Sequence, residues 1–206
     1  LTTRDEDTYN NYNDLAHHSY NGICTAWFTP DFYPGYDTSN LTQYMTSCFD
    51  HTSEPKINLD GFSVKTKQVV TQEVKHSTFN KVKRLFQKNL PEFIGDYLVI
   101  RPVHCCIKRL NFQLFFKKNA FVSQTPYGFL NLYRNTSLTV TDRLHAAVAT
   151  MAYGNPAILY IKSNRPKLLE RLGVESVMNE ITRVDMERLN TEKDIFKTWL
   201  SKALIK

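Results

Sequence analysis

The sequence predicts an α+β protein: an irregular aromatic N-terminal arm, a largely antiparallel or mixed β-sheet in the middle, and a helical C-terminus. Three observations predict it. The first 60 residues are rich in Tyr, Phe and turn signals but hold no sustained period. Residues 57–141 carry period-two apolar runs, and residues 142–206 carry apolar positions at helical spacing. A chain of 206 residues with 42% hydrophobic content can bury one sizeable core. The expected division is an acidic aromatic arm over 1–56 and a single α+β domain over 57–206, β-rich to 141 and helix-rich from 142.

The head is defined by charge as much as by pattern. Residues 1–60 hold nine acids against Arg4 and Lys56, whereas the whole chain carries a formal charge of +6. The surplus of bases therefore lies further on, chiefly between 61 and 134. Within the head, Tyr20, Trp27, Phe28, Phe32, Tyr33 and Tyr36 stand among the turn signals Asn21-Gly22, Pro30-Asp31 and Pro34-Gly35. Each ring offers a large area worth burying. These six aromatics are the expected contacts of an arm laid across a neighbouring subunit.

The sheet signal begins at residue 57. In "INLDGFSVKTKQVVTQEVK", Phe62, Val64 and Thr66 share one face and Ser63, Lys65 and Lys67 the other. The stretch 79–90 fits a short helix bearing Val82, Leu85 and Phe86, stopped by Pro91. Residues 96–118 give the strongest strand pattern, with a change of phase near Lys108–Arg109 that asks for a bulge. Pro102 points to an edge or bulged strand for its first half. Short strands at 129–133 and 137–141 follow.

Thr141 can cap a helix carrying Leu144, Val148 and Met151, which Gly154-Asn155-Pro156 would stop. Residues 157–162 read as a buried strand, so 137–162 forms a βαβ unit with a parallel pairing. Short helices are expected over 165–173 and along Val174, Val177, Met178, Ile181 and Val184. A last helix is expected from Thr191, with Ile195, Phe196, Trp199 and Leu200 on its apolar face.

Chemistry is sought first in His104-Cys105-Cys106. No arginine follows either cysteine at the six-residue spacing of a phosphate-cradling cysteine loop, since Asn111 and Phe112 stand there. On a strand the two thiols point to opposite faces and cannot share one metal. This stretch reads as sheet interior. In the head, His17, His18, Cys24, Cys48 and His51 offer zinc-binding atoms, but only Cys48 and His51 have a usual spacing. Pro30-Asp31 with Glu54-Pro55-Lys56 is similar to the PD…(D/E)xK pattern of metal-dependent nucleases. That resemblance implies Mg²⁺ on Asp31 and Glu54 and a water positioned by Lys56. Pro55 breaks the strand the pattern needs.

The basic middle suggests a surface for nucleic acid. Lys65, Lys67, Lys81, Lys83, Arg84, Lys108, Arg109, Lys117 and Lys118 alternate with phenylalanines that could stack bases. No RNP, zinc-finger, Walker, GxGxxG or GxSxG motif accompanies them.

The expectation from these observations is a non-enzymatic structural or assembly protein of a multi-subunit complex, a virus or phage particle component, in the virion or host cytoplasm. The expected partners are copies of itself or other subunits, with nucleic acid as the alternative partner and a metal-dependent nuclease as the third reading. No catalytic residue, cofactor, metal or small-molecule ligand is expected, and no membrane partner, because no apolar run approaches the roughly 18 residues of a span.

Overall fold

The computed structural model describes residues 1–38, 43–57, 59, 90–104, 116–161, 165–174, 177–178 and 180–205. Its centre is a sheet ordered β4–β5–β3–β7–β8, comprising β3 (Tyr44–Cys48), β4 (Phe93–Ile94), β5 (Tyr97–Pro102), β7 (Leu138–Thr141) and β8 (Ala157–Leu159). A further strand, β6 (Ala120–Phe121), pairs with the end of β5. Strands β5, β3, β7 and β8 run parallel; β4 is antiparallel to β5. The mixed α+β class and the helical C-terminus hold. The expected antiparallel majority does not, because apolar alternation fixes which face a residue takes and says nothing of strand direction. The βαβ unit over 137–162 is present, with α4 (Leu144–Ala152) between β7 and β8.

Helix covers one face of the sheet. All four residues of β7 and the last four of β3 are buried, as expected for parallel strands enclosed on both sides. Met45, Leu138, Val140 and Ile158 pack with Tyr97 and Val99 on one face. On the other face, Cys48 meets Phe129 and Tyr133 of α3 (Pro126–Asn135) and Ala146 and Ala149 of α4. Thr139 and Thr150 share a 2.7 Å hydrogen bond there, so the helix–sheet contact is partly polar.

The head belongs to this same core. After β1 (Thr2–Thr3), α1 (Glu6–Tyr12) starts at Asp5, whose side chain accepts from Thr8 N. Then β2 (Tyr20–Asn21) pairs parallel with β1. A 3-10 turn at Thr25–Phe28 and α2 (Thr29–Phe32) follow. Trp27 is 0% exposed and packs with Phe28, Val148, Met151, Leu169 and Leu189. The head also supplies β3, the strand in the middle of the sheet. The head thus supplies core side chains and the sheet's middle strand.

Local readings differ in four places. Residues 129–133, expected as a strand, lie in α3, and Phe129, Leu132 and Tyr133 are its buried side. Within Val174–Val184, expected as a helix, the described residues form two isolated bridges to β8, Thr182 with Ala157 and Met178 with Leu159. The last helix, α5 (Met186–Leu204), begins earlier than Thr191, capped by Asp185, which accepts from Glu187 N and Arg188 N. Strand β5 is flanked on both sides rather than at an edge, and Pro102 is tolerated because pairing with β3 ends at Ile100. The expected 79–90 helix and the phase change near 108–109 lie outside the described residues.

Candidate functional site

The order of the parallel strands explains where polar groups collect. From β3 the chain goes to β5 on one side and then to β7 on the other. At such a reversal the connections leave in opposite directions, and a crevice opens outside the carboxyl ends of the two strands. The residues just past those ends are Asp50–Thr52 after β3, Val103–His104 after β5 and Asp142–Arg143 after β7.

Asp50 is the hub. Its Oδ1 accepts from Lys117 Nζ at 2.6 Å and its Oδ2 from Arg143 at 2.8 Å. His104 Nδ1 stands 3.5 Å from Asp50 Oδ2 and 3.5 Å from Cys48 Sγ, while its Nε2 lies 2.7 Å from the Tyr133 hydroxyl. The His104 ring stacks on Phe129 with centroids 4.7 Å apart and lies nearly parallel to the Tyr133 ring, which fixes its plane. Burial alone would raise the Asp50 carboxyl. The hydrogen bonds and charges of His104 and Lys117 outweigh it and hold the group well below the usual carboxylate range. Burial, helped by the Asp50 charge, pushes the Cys48 thiol up to about 12. Burial likewise drives the Tyr133 phenol well above its ordinary value.

Two buried carboxylates hold the walls. Asp142 accepts from the backbone N–H groups of Asp50, His51 and Thr52 at 3.1, 2.8 and 2.7 Å, and from the Thr52 hydroxyl. Glu54 takes both arms of the Arg101 guanidinium, at 2.8 and 2.7 Å. Arg101 is 1% exposed and also donates to Lys118 O. The loop after β3 is thus tied to β7 by one carboxylate and to β5 by another.

Cys48, Asp50 and His104 are the one grouping among the described residues with three metal-competent side chains within reach of one another. The three groups are engaged with one another and with Lys117, Arg143 and Tyr133. Of the zinc candidates His17, His18, Cys24, Cys48 and His51, that grouping includes Cys48 alone.

The nuclease set also separates. Asp31 pairs with Lys193 at 2.6 Å and Lys197 at 3.2 Å, Glu54 pairs with Arg101, and Lys56 is exposed. Each acid is neutralised by a base of its own, which leaves no pair of carboxylates to share Mg²⁺.

Of the expected arm contacts, Tyr20 stacks on Trp199 at 5.1 Å, Phe28 packs on Phe196 at 5.4 Å and Tyr33 on Tyr127 at 4.9 Å. Trp27 is fully buried, and only Phe32 and Tyr36, 86% and 76% exposed, face outward. Of the six, Trp27 and Phe28 belong to the core and Tyr20 packs against it.

In the expected basic surface, Lys117 binds Asp50 and Lys118 binds Glu92 at 3.2 Å. Lys65, Lys67, Lys81, Lys83, Arg84, Lys108 and Arg109 lie outside the described residues, as do Cys105 and Cys106.

Sequence reasoning placed no chemistry at Asp50, His104 or Arg143. The signal available was a polar pair directly following each apolar strand, at Asp50-His51 and Asp142-Arg143. It is meaningful only once the strands are known to run parallel.

Residues 1–163 match a family model described as polysaccharide pyruvyl transferase. No curated protein and no solved structure matches the chain. The family match overturns the expectation of a non-enzymatic structural protein of a virion. It points to a transferase that modifies glycans. The scarcity of glycine and of known catalytic motifs misled that expectation, because a site at strand ends needs neither.

Proposed function

We propose that this chain, which belongs to the polysaccharide pyruvyl transferase family, carries its pyruvyl-transfer site at the carboxyl ends of β3, β5 and β7. The observation that carries the reading is the convergence of Asp50, His104, Lys117 and Arg143 there, from segments far apart in sequence and within a described site bounded by the family match.

The roles follow from charge and geometry. A pyruvyl donor presents a carboxylate. Lys117 and Arg143 place two cations at Asp50, and charged donors of this kind favour an anion beside them. Arg143, the more exposed of the two, is the group placed to receive it. Transfer joins a sugar hydroxyl oxygen to the pyruvyl carbon. The donor's leaving group departs with its electron pair, and the hydroxyl proton needs a base. Asp50 is too acidic to serve as that base. His104 is the group placed to take the proton at Nδ1, which stands 3.5 Å from both Asp50 Oδ2 and Cys48 Sγ, while Nε2 lies 2.7 Å from the Tyr133 hydroxyl. Asp50 then stabilises the imidazolium that forms.

Steady-state kinetics with a labelled pyruvyl donor and an oligosaccharide acceptor test these roles. Arg143→Gln should raise the donor KM, and His104→Gln should lower kcat with the donor KM little changed. Wild-type kinetics in both variants would move the site elsewhere.

A further inference from the structure

A second polar pocket lies at the opposite end of the same strands. Ser137 and Asn155 precede β7 and β8, and with Arg134, Arg183, Asp37 and Tyr153 they line a cavity of about 350 Å³. Five residues of β3 separate this end from Asp50, a span of about 15 Å at strand rise.

Its unusual member is Arg134. The Nε of this half-buried side chain is shielded from solvent and has no hydrogen-bond partner among the described residues. The guanidinium lies over the Tyr153 ring at 5.9 Å, and the aliphatic stem packs so close to Gly35 (φ +69°) that a Cβ there would sit 2.7 Å from Arg134 Cδ. A stem held that firmly fixes the place of the guanidinium in the cavity wall. Arg183 lines the same cavity and spends one nitrogen on Gly154 O, at 2.7 Å. Two guanidinium groups against one carboxylate, Asp37, leave the pocket cationic. The planar fork of arginine suits a carboxylate, and the hydroxyl and amide groups around it suit the hydroxyls of a sugar.

We propose that the Arg134–Arg183 pocket is a carboxylate-binding subsite that takes a pyruvyl group already attached to the polysaccharide. A pyruvyl group joined to sugar hydroxyls through its keto carbon keeps its carboxylate, so a partly modified polymer is a polyanion. A subsite about 15 Å from Asp50 cannot hold the group being transferred. It holds an earlier product unit of the same chain and so favours acceptors that are already partly modified. The identity of the carrier rests on the transferase reading; the anion site itself rests on the arginines.

The test is calorimetric titration of the full chain with a pyruvylated oligosaccharide, its unmodified counterpart, pyruvate and inorganic phosphate. The expected result is that the pyruvylated form binds at least about tenfold more tightly than the unmodified one. Arg134→Gln and Arg183→Gln should each remove that preference, and Asp50→Asn should keep it. Arg183 sits on an exposed loop, so its variant guards against misfolding caused by the packed Arg134 stem. No preference in the wild type, or a preference intact in both arginine variants, overturns the proposal. Equal affinity for free pyruvate, phosphate and the modified glycan overturns the glycan as carrier. Retained binding in a protein that transfers no pyruvyl group would count against the transfer site at Asp50 and leave the subsite standing.

Discussion

Asp50 and Arg143 meet at 2.8 Å although 93 residues separate them, one following β3 and the other following β7. The pair joins the carboxyl ends of two strands at the point where the order of the parallel strands reverses. It brings the negative charge of the hub against the more exposed of its two cations. Asp142, the neighbour of Arg143, reinforces this by holding three consecutive N–H groups of the β3 loop. The chemistry and the scaffold are therefore linked through adjacent residues, and they can be separated by mutation.

Removing the Asp142 carboxylate should disturb the site through its geometry. Asp142→Ala takes the acceptor from three consecutive N–H donors and releases the Asp50 loop. Asp142→Asn keeps one acceptor oxygen and should lose less. The check is amide hydrogen exchange over residues 50–52, which should speed up in both variants, more in the alanine. Unchanged protection would contradict the tie.

The Arg101–Glu54 pair should behave as a buried ion pair. Glu54→Ala strands a charge on an arginine that is 1% exposed and should cost about 3–5 kcal/mol in chemical denaturation. Arg101→Met combined with Glu54→Leu should recover most of that loss. A double variant as unstable as the single one would assign the cost to packing instead.

Acid stability carries the signature of Asp50. Its carboxyl is depressed in the folded protein, so its contribution is present above the unfolded value of about 3.9 and is lost as pH falls below it. Asp31, where burial is outweighed by the hydrogen bonds and charges of Lys193 and Lys197, acts in the same direction. Thermal unfolding followed from pH 6 to pH 2 should fall less steeply in Asp50→Asn than in the wild type. Parallel curves would mean that Asp50 titrates as it does in the unfolded chain.

The two described cysteines should differ towards alkylating agents. Cys48 is buried and its thiol is pushed up to about 12, so iodoacetamide at pH 8 should leave it unmodified in the native protein. At Cys24, burial opposes ionisation, but hydrogen bonds from His145 and the Ala26 backbone outweigh it and lower the thiol. Mass spectrometry of the labelled peptides should find Cys24 modified ahead of Cys48. The reverse order would contradict the network around His104.

Parts of this architecture are legible in the sequence, and the reasons others are not can be named. The β7–α4–β8 unit is readable because the Leu144–Val148–Met151 face and Gly154 mark it locally, although Thr141 ends β7 and α4 starts after Arg143 without a side-chain cap. The window 129–133 misleads because "FLNLY" is short and rich in strand-forming aromatics, while Phe129, Leu132 and Tyr133 also satisfy a helical spacing; Pro126 at the first turn decides for helix. Strand β3 escapes notice because "YMTSC" is buried on both faces and shows no alternation. The head looks like an arm since its aromatics have no period of their own. Trp27 and Phe28 are placed by α4 and α5, more than a hundred residues away. The site is hidden for the same reason: Asp50, His104 and Arg143 are neighbours only through the parallel pairing of three strands.

The most direct measurement of the central claim is the mass of an oligosaccharide acceptor after incubation with a pyruvyl donor and either the wild type or Asp50→Asn. The wild type should add the mass of a pyruvyl group. Asp50→Asn, folded by circular dichroism, should do so at least about 100-fold more slowly. Transfer at the wild-type rate by the folded variant would contradict the placement of the reaction at the carboxyl ends of β3, β5 and β7.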